Sequence, residues 1–212
     1  MAKIGFIGTG IMGRPMAQNL QKAGHSLFVS THHDAAPADL LAAGAVALAN
    51  PKEVAQEAEF IIVMVPDTPQ VESVLFGENG VAEGVGPNKV VIDMSSISPT
   101  ATKVFADKIK ATGAAYLDAP VSGGQAGAEN GVLTVMCGGD QAVFDKAKPV
   151  IDAFARMVGL MGPVGSGQLT KMMNQICIAG LVQGLAESIH FGKQAGHDIE
   201  KVVDVLFQGD AG

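Results

Sequence analysis

Three observations predict an α/β protein with a mostly parallel sheet and helices on both faces. Short apolar runs recur up to residue 162, helical periodicities separate them, and glycines close many segments. Such alternation makes successive strands parallel, because each helical crossover carries the chain back to the same end of the sheet. Apolar residues make up 48% and charged residues 17% of the 212, which supplies a core and excludes general disorder.

Residues 3–8, KIGFIG, form an apolar run ending in glycine and read as a buried strand. From Ile11 the period changes: Met12, Met16, Leu20 and Ala23 recur at helical spacing, and Gly24 is placed as a C-cap. A strand is expected at Ser26–Ser30, helices near 38–43 and 52–58, and a strongly apolar strand at 60–65 that Pro66 cuts off. Val90–Asp93 repeats the strand signal, 100–111 reads as a helix, and Ala115–Asp118 as a short strand. A strand over 132–137, ended by Gly138 and Gly139, a helix over 141–154 and a strand over 157–161 complete the sheet by Gly162.

The stretch 168–194 lacks proline and has few β-branched residues, which predicts a long helix. A shorter helix over 199–207 follows the turn at 196–198. The expected organisation is a sheet domain over 1–162, then over 163–212 a long inter-domain helix and the start of an all-helical second domain.

Fourteen Lys and Arg against 21 Asp and Glu give a net charge of −7, which opposes general attraction to nucleic acid or anionic membranes. No apolar run reaches the ~18 residues of a membrane span, and the N-terminus lacks a leader pattern, so the cytosol is expected. Cys137 and Cys177 are too few and too far apart for a disulfide framework or zinc site, and read as small core residues. No His/Cys cluster suggests a metal. The 27 glycines, almost twice the number that ~7% average usage gives, show no collagen-like period, so their positions carry the information.

Gly8-Thr9-Gly10-Ile11-Met12-Gly13 is G-x-G-x-x-G between a predicted strand and a predicted helix, the context of a Rossmann-type dinucleotide fingerprint. Gly8 permits the tight turn, Gly10 lets a pyrophosphate approach the backbone, and Gly13 permits close helix-to-strand packing. Phosphate is expected on the helix N-terminus, at Ile11 and Met12. A carboxylate ending the second strand would bind the ribose hydroxyls and repel a 2′-phosphate, but this chain has Ser30-Thr31-His32-His33 there. NADP is therefore not excluded, and NAD(P)H is the expected cofactor with its preference open. Asp34 reads as a helix cap or a ribose ligand, and His32 and His33 as phosphate-facing or solvated. Val65 and Pro66, at the end of one strand, and Ser95 and Ser96, after another, also stand where open α/β sheets place ligands.

Asp118-Ala119-Pro120-Val121-Ser122-Gly123-Gly124 follows a further strand end. It reads either as an ordinary loop or as a carboxylate cradle, with the Ser122 hydroxyl and N–H groups near Gly123 and Gly124 as donors. Gly165-Ser166-Gly167-Gln168-Leu169-Thr170-Lys171 leads into the long helix, and Asn174 and Gln175 fall at i+3 and i+4 from Lys171 on one face. Lys171 reads either as a snorkelling surface lysine or as part of a polar cluster.

Taken together, GFIGTGIMG at 5–13, DAPVSGG at 118–124 and GSGQLTKMMNQ at 165–175 resemble the β-hydroxyacid dehydrogenases, over the whole chain. KMMNQ and IDMSSISP at 92–99 most resemble the tartronate semialdehyde reductase branch, with 3-hydroxyisobutyrate dehydrogenases as the alternative. The resemblance implies that Ser122, Gly123 and Gly124 hold a small substrate's carboxylate, that Lys171 is the catalytic acid/base, and that Asn174 or Gln175 orients the substrate. Many relatives have asparagine four residues after the lysine, where this chain has Gln175. The usual arginine after the second strand is replaced by Thr31 or His32. Relatives continue for a further helical portion with a second lysine, so this chain is expected to be a fragment, and a homo-oligomer is expected. The rival of another class is a catalytically silent dinucleotide-binding scaffold.

Overall fold

The structure is a computed structural model that describes residues 1–30, 35–206 and 208. Thr31 and His32, with His33 and Asp34, lie outside the described residues, as does Phe207 at the expected end of the last helix. The chain divides into two compact units, Met1–Lys171 and Met172–Gly212.

The first unit carries nine strands among the described residues: β1 (Lys3–Ile7), β2 (Ser26–Ser30), β3 (Val46–Ala47), β4 (Phe60–Val63), β5 (Val90–Asp93), β6 (Ala115–Asp118), β7 (Val121–Ser122), β8 (Leu133–Gly138) and β9 (Ala155–Gly162). They form one sheet in the order β3-β2-β1-β4-β5-β6-β8-β7, with β9 also paired to β8. The pairs from β3 to β6 are parallel, as is β8 with β9, whereas β8 runs antiparallel to β6 and β7. The expected mostly parallel sheet is therefore present. Because β1 lies between β2 and β4, the chain winds outward in one direction and then returns to wind in the other. Ligands of such sheets bind at this reversal, beyond the carboxyl ends of the strands.

Strand residues alternate between two cores. Ile4, Phe6, Ile62, Ile92 and Leu117 face one layer, which includes α1 (Gly13–Lys22), α2 (Ala38–Ala42), α6 (Gly124–Glu129) and α7 (Gln141–Ile151). Ile7, Ile61, Val63, Val91 and Tyr116 face the other, under α3 (Pro51–Glu57), α4 (Thr68–Phe76) and α5 (Pro99–Lys110). Strands covered on both faces need continuous apolar runs, which is why FIIV of β4 is wholly buried.

Several elements differ from the sequence reading. α4 was not expected, yet Asp67 caps it by accepting from the Gln70 N–H at 3.0 Å, and Val71, Val74 and Leu75 are buried. The short β3, β7 and α6 and a 3-10 turn at Val81–Glu83 also lie where the sequence predicts no regular element. β4 ends at Val63 rather than at 65, because the Val65 N–H leaves the ladder and donates to Ser95 Oγ at 3.1 Å. α7 stops at Ile151, with Pro149 in its last turn.

α8 (Ser166–Gln194) begins at the end of the first unit, and its later turns, with α9 (Ile199–Leu206), form the second. No helix among the described residues is long and apolar enough to cross a membrane.

Candidate active site

The turn between β1 and α1 shows a separate physical reason for each glycine. At Gly8, φ is +96°, and a Cβ would lie 2.1 Å from the Met64 carbonyl oxygen. At Gly13 a Cβ would lie 1.9 Å from the Gly8 oxygen and 2.8 Å from the Phe6 ring, so helix and strand meet through bare backbone. At Gly10 a Cβ would meet nothing within 4 Å, so this glycine is not required by packing within the chain. Open space on that side is what an approaching pyrophosphate needs. α1 has no side-chain cap and no acidic residue in its first turn, and the N–H groups from Ile11 to Gly13, ahead of the Arg14 N–H that donates to Gly10, are left available to an anion.

Ile11 is exposed at this turn, while Met12 packs partly against the core. Beside it a cleft of about 410 Å3 is lined by Gly10, Ile11, Arg14, Gln18, Gln125 and Glu129, among others. Arg14 pairs with Asp39 at 2.8 Å, and Gln18 also donates to Asp39. These two donors hold the Asp39 carboxyl below its ordinary pKa against the opposing effect of desolvation.

The ends of β4 and β5 are tied to the same turn. The Met64 N–H donates to the Ile7 oxygen at 2.9 Å, and the Val65 N–H to Ser95 Oγ. Val65 and the exposed Pro66 follow directly, and exposed Ser96 stands between buried Ser95 and Ile97. Of the expected cofactor residues, Gly8, Gly10, Ile11, Met12, Gly13, Val65, Pro66 and Ser96 thus surround neighbouring strand ends. Thr31 and His32 lie outside the described residues.

Two buried carboxylates follow at the ends of β5 and β6. Asp93 accepts from the Ser95 N–H and the Tyr116 hydroxyl, each at 3.0 Å, and burial raises its pKa to about 6. Burial also raises the pKa of Asp118, against the opposing effect of its backbone hydrogen bonds. Asp118 accepts from the Gly165 N–H at 2.7 Å and the Gln168 N–H at 3.0 Å, and so caps α8 from a different strand. The fully buried Gln168 side chain donates to the Ser95 oxygen at 2.7 Å and accepts from the Ile97 N–H at 3.1 Å. The sequence reading singled out neither Asp118 nor Gln168, although both lie inside motifs it quoted. The sequence shows only the two ends, a strand-end aspartate and a glycine-rich helix start, and not that they pair.

After Asp118 the backbone forms β7, with half-buried Ser122 opposite Thr134 of β8, and then turns into α6 at Gly123 and Gly124. Their φ values, +131° and +62°, lie where side chains are strained. Lys171, half-buried on α8, has no ion-pair partner among the described residues, and desolvation lowers its pKa. Asn174 and Gln175 belong to the second unit, where Asn174 Nδ2 donates to Gln175 Oε1 at 3.1 Å.

The glycine turn, the reversal at β1 and the ring of strand-end residues define a dinucleotide-binding domain. Residues 3–162 match the family described as the NAD binding domain of 6-phosphogluconate dehydrogenase, and residues 165–212 the family described as NAD-binding of NADP-dependent 3-hydroxyisobutyrate dehydrogenase. The chain is 47% identical to 2-hydroxy-3-oxopropionate reductase of Escherichia coli, over 99% of this chain and 71% of that protein. It is 37% identical to NAD-dependent L-serine dehydrogenase of Pseudomonas aeruginosa, over 100% of this chain and 71% of that protein. The structure of Mycobacterium tuberculosis 3-hydroxyisobutyrate dehydrogenase with L-serine superposes with a TM-score of 0.90 at 30% identity, covering 100% of this chain and 72% of that one. The chain belongs to the β-hydroxyacid dehydrogenase family, the NAD(P)-dependent oxidoreductases of the 3-hydroxyisobutyrate dehydrogenase type.

Proposed function

We propose that this oxidoreductase reduces a short β-oxo acid, tartronate semialdehyde (2-hydroxy-3-oxopropanoate), to glycerate, with Lys171 as the acid. The observation that carries the reading is the state of Lys171: half-buried, without a carboxylate partner among the described residues, and desolvated on a helix clamped at its start. An ammonium with a lowered pKa is the stronger proton donor. The choice of substrate rests on the 47% identity to 2-hydroxy-3-oxopropionate reductase.

A nicotinamide cofactor held at the glycine turn would supply the hydride that the aldehyde carbon takes up. Lys171 Nζ gives a proton to the carbonyl oxygen as it gains negative charge, which completes the alcohol. Acid/base help of this kind is worth about 10² to 10⁴ in rate. Ser122 Oγ and the backbone around Gly123 and Gly124 hold the substrate carboxylate, and Asn174 or Gln175 orients the substrate. Fixed orientation of this sort lowers the barrier without further chemistry. The N–H groups from Ile11 to Gly13 would hold the cofactor pyrophosphate beside Gly10, whose side is open to it. Thr31, His32, Val65, Pro66 and Ser96 would complete the cofactor contacts.

The same reading places the enzyme in the cytosol as a homo-oligomer. An assay of NADH and NADPH oxidation with a panel of small β-oxo acids tests the reading. Turnover fastest with tartronate semialdehyde is the expected result. Faster turnover of the semialdehyde related to 3-hydroxyisobutyrate would move the enzyme to that branch, and cofactor binding without any turnover would make it a scaffold.

A further inference from the structure

Lys171 sits one turn into α8, and the placement of that turn is decided by two side chains that touch neither end of the proposed reaction. Asp118, at the end of β6, takes the N–H groups of Gly165 and Gln168 on separate carboxylate oxygens. Its carboxylate also fills the space beside two glycines: a Cβ at Gly138 would lie 2.6 Å from Asp118 Oδ1, and one at Gly167 would lie 2.7 Å from Asp118 Oδ2. The backbone of β8 and that of the α8 start therefore close on one buried anion. Gln168 then reaches across to the loop after β5, donating to Ser95 and accepting from Ile97. Between those two contacts stands Ser96, the residue assigned to the cofactor, and three residues after Gln168 stands Lys171. Ser95 continues the chain of contacts, since its Oγ accepts from the Val65 N–H beside the glycine turn.

We infer that Asp118 and Gln168 are positioning residues, which fix the turn of α8 bearing Lys171 against the strand-end loop bearing Ser96, and thereby set the distance between proton donor and nicotinamide. The inference rests on the reading of Lys171 as the acid. A buried amide that satisfies a donor and an acceptor on one loop specifies a single arrangement, because any slip leaves polar groups unpaired. Displacement of about 1 Å at a reacting group can cost of order 10² in rate.

Gln168→Met preserves side-chain length and removes both contacts to the loop, whereas Asp118→Asn preserves shape and sets an amide N–H against a backbone N–H. Both variants, and Lys171→Ala, would be made in the whole protein. For each, kcat would be normalised to active sites counted by cofactor titration, and the primary deuterium isotope effect on kcat measured with 4-deuterated cofactor. The expected result for Gln168→Met and Asp118→Asn is a kcat lowered about tenfold or more, a cofactor Kd within about threefold of the parent, and a larger isotope effect as the chemical step becomes slower. A normalised kcat within about twofold of the parent with an unchanged isotope effect would overturn the inference, whatever happens to thermal stability. So would a cofactor affinity that falls in step with kcat. If Lys171→Ala keeps its kcat, the reading of the acid fails, and this inference falls with it. If Lys171→Ala is impaired and the two positioning variants are not, only the positioning inference fails.

Discussion

Asp93 and Asp118 stand in register at the carboxyl ends of β5 and β6, and both side chains are buried. They continue the face that carries Val91 and Tyr116, so the apolar layer ends in two acidic groups at the carboxyl ends of these strands. Burial lifts Asp93 from 3.8 to about 6, with the Asp118 charge adding to the rise. The native state then holds the Asp93 proton more tightly than the unfolded chain does. Its ionisation costs nothing below the unfolded value, costs progressively more as pH rises towards 6, and costs about 3 kcal/mol above that. Asp93→Asn removes the charge, so its melting temperature relative to the parent should be higher at about pH 8 than at about pH 4. A difference independent of pH would contradict the assignment.

The glycine turn predicts two different failures. Gly13→Ala places a methyl group against the Gly8 carbonyl and the Phe6 ring, so it should destabilise the fold by about 1–3 kcal/mol. Gly10→Ala meets no atom of the chain, so its melting temperature should match the parent while cofactor affinity falls about tenfold or more, about 1.4 kcal/mol. Thermal unfolding beside cofactor titration separates the two, and equal destabilisation by both would be the contrary result.

Ser30 ends β2 without a carboxylate to repel a 2′-phosphate. NADPH should therefore be accepted alongside NADH with less than about hundredfold discrimination, about 2.7 kcal/mol. Initial rates with each cofactor decide this, and strict NADH dependence is the outcome the prediction forbids.

Ser122→Ala should lower kcat/KM while the cofactor Kd stays nearly constant. Loss of one hydrogen bond to a charged group costs about 1.5–3 kcal/mol. Ser122 is half-buried and paired to Thr134 through backbone alone, so the fold has no need of its hydroxyl. Unchanged kcat/KM would return residues 118–124 to an ordinary strand-to-helix connection.

The sheet was legible because its strands are covered on both faces and read as unbroken apolar runs, as in FIIV of β4 and VVID of β5. The glycine turn was legible for a related reason, since backbone geometry there excludes every other residue at Gly8 and Gly13. α4 was harder to read. Its start follows directly on the Pro66 break, and its signal is an aspartate cap with an early proline rather than a long amphipathic repeat. β3 and β7 are two residues each, too short for any periodicity. Asp118 and Gln168 escaped because their partners are 47 to 73 residues away in sequence, a relationship no local pattern records.

The proposed role of Lys171 as proton donor is tested most directly by the separation of turnover from binding in Lys171→Ala. An intact fold, a cofactor Kd near that of the parent, and a kcat lowered by at least about 10² are expected, because proton donation is lost. Lys171→Arg should recover little of this, since a guanidinium keeps the charge but is a very poor acid at neutral pH. A Lys171→Ala protein that melts earlier and binds cofactor less tightly, yet turns over at the parent rate once folded, would show that the lysine is structural and contradict the mechanism.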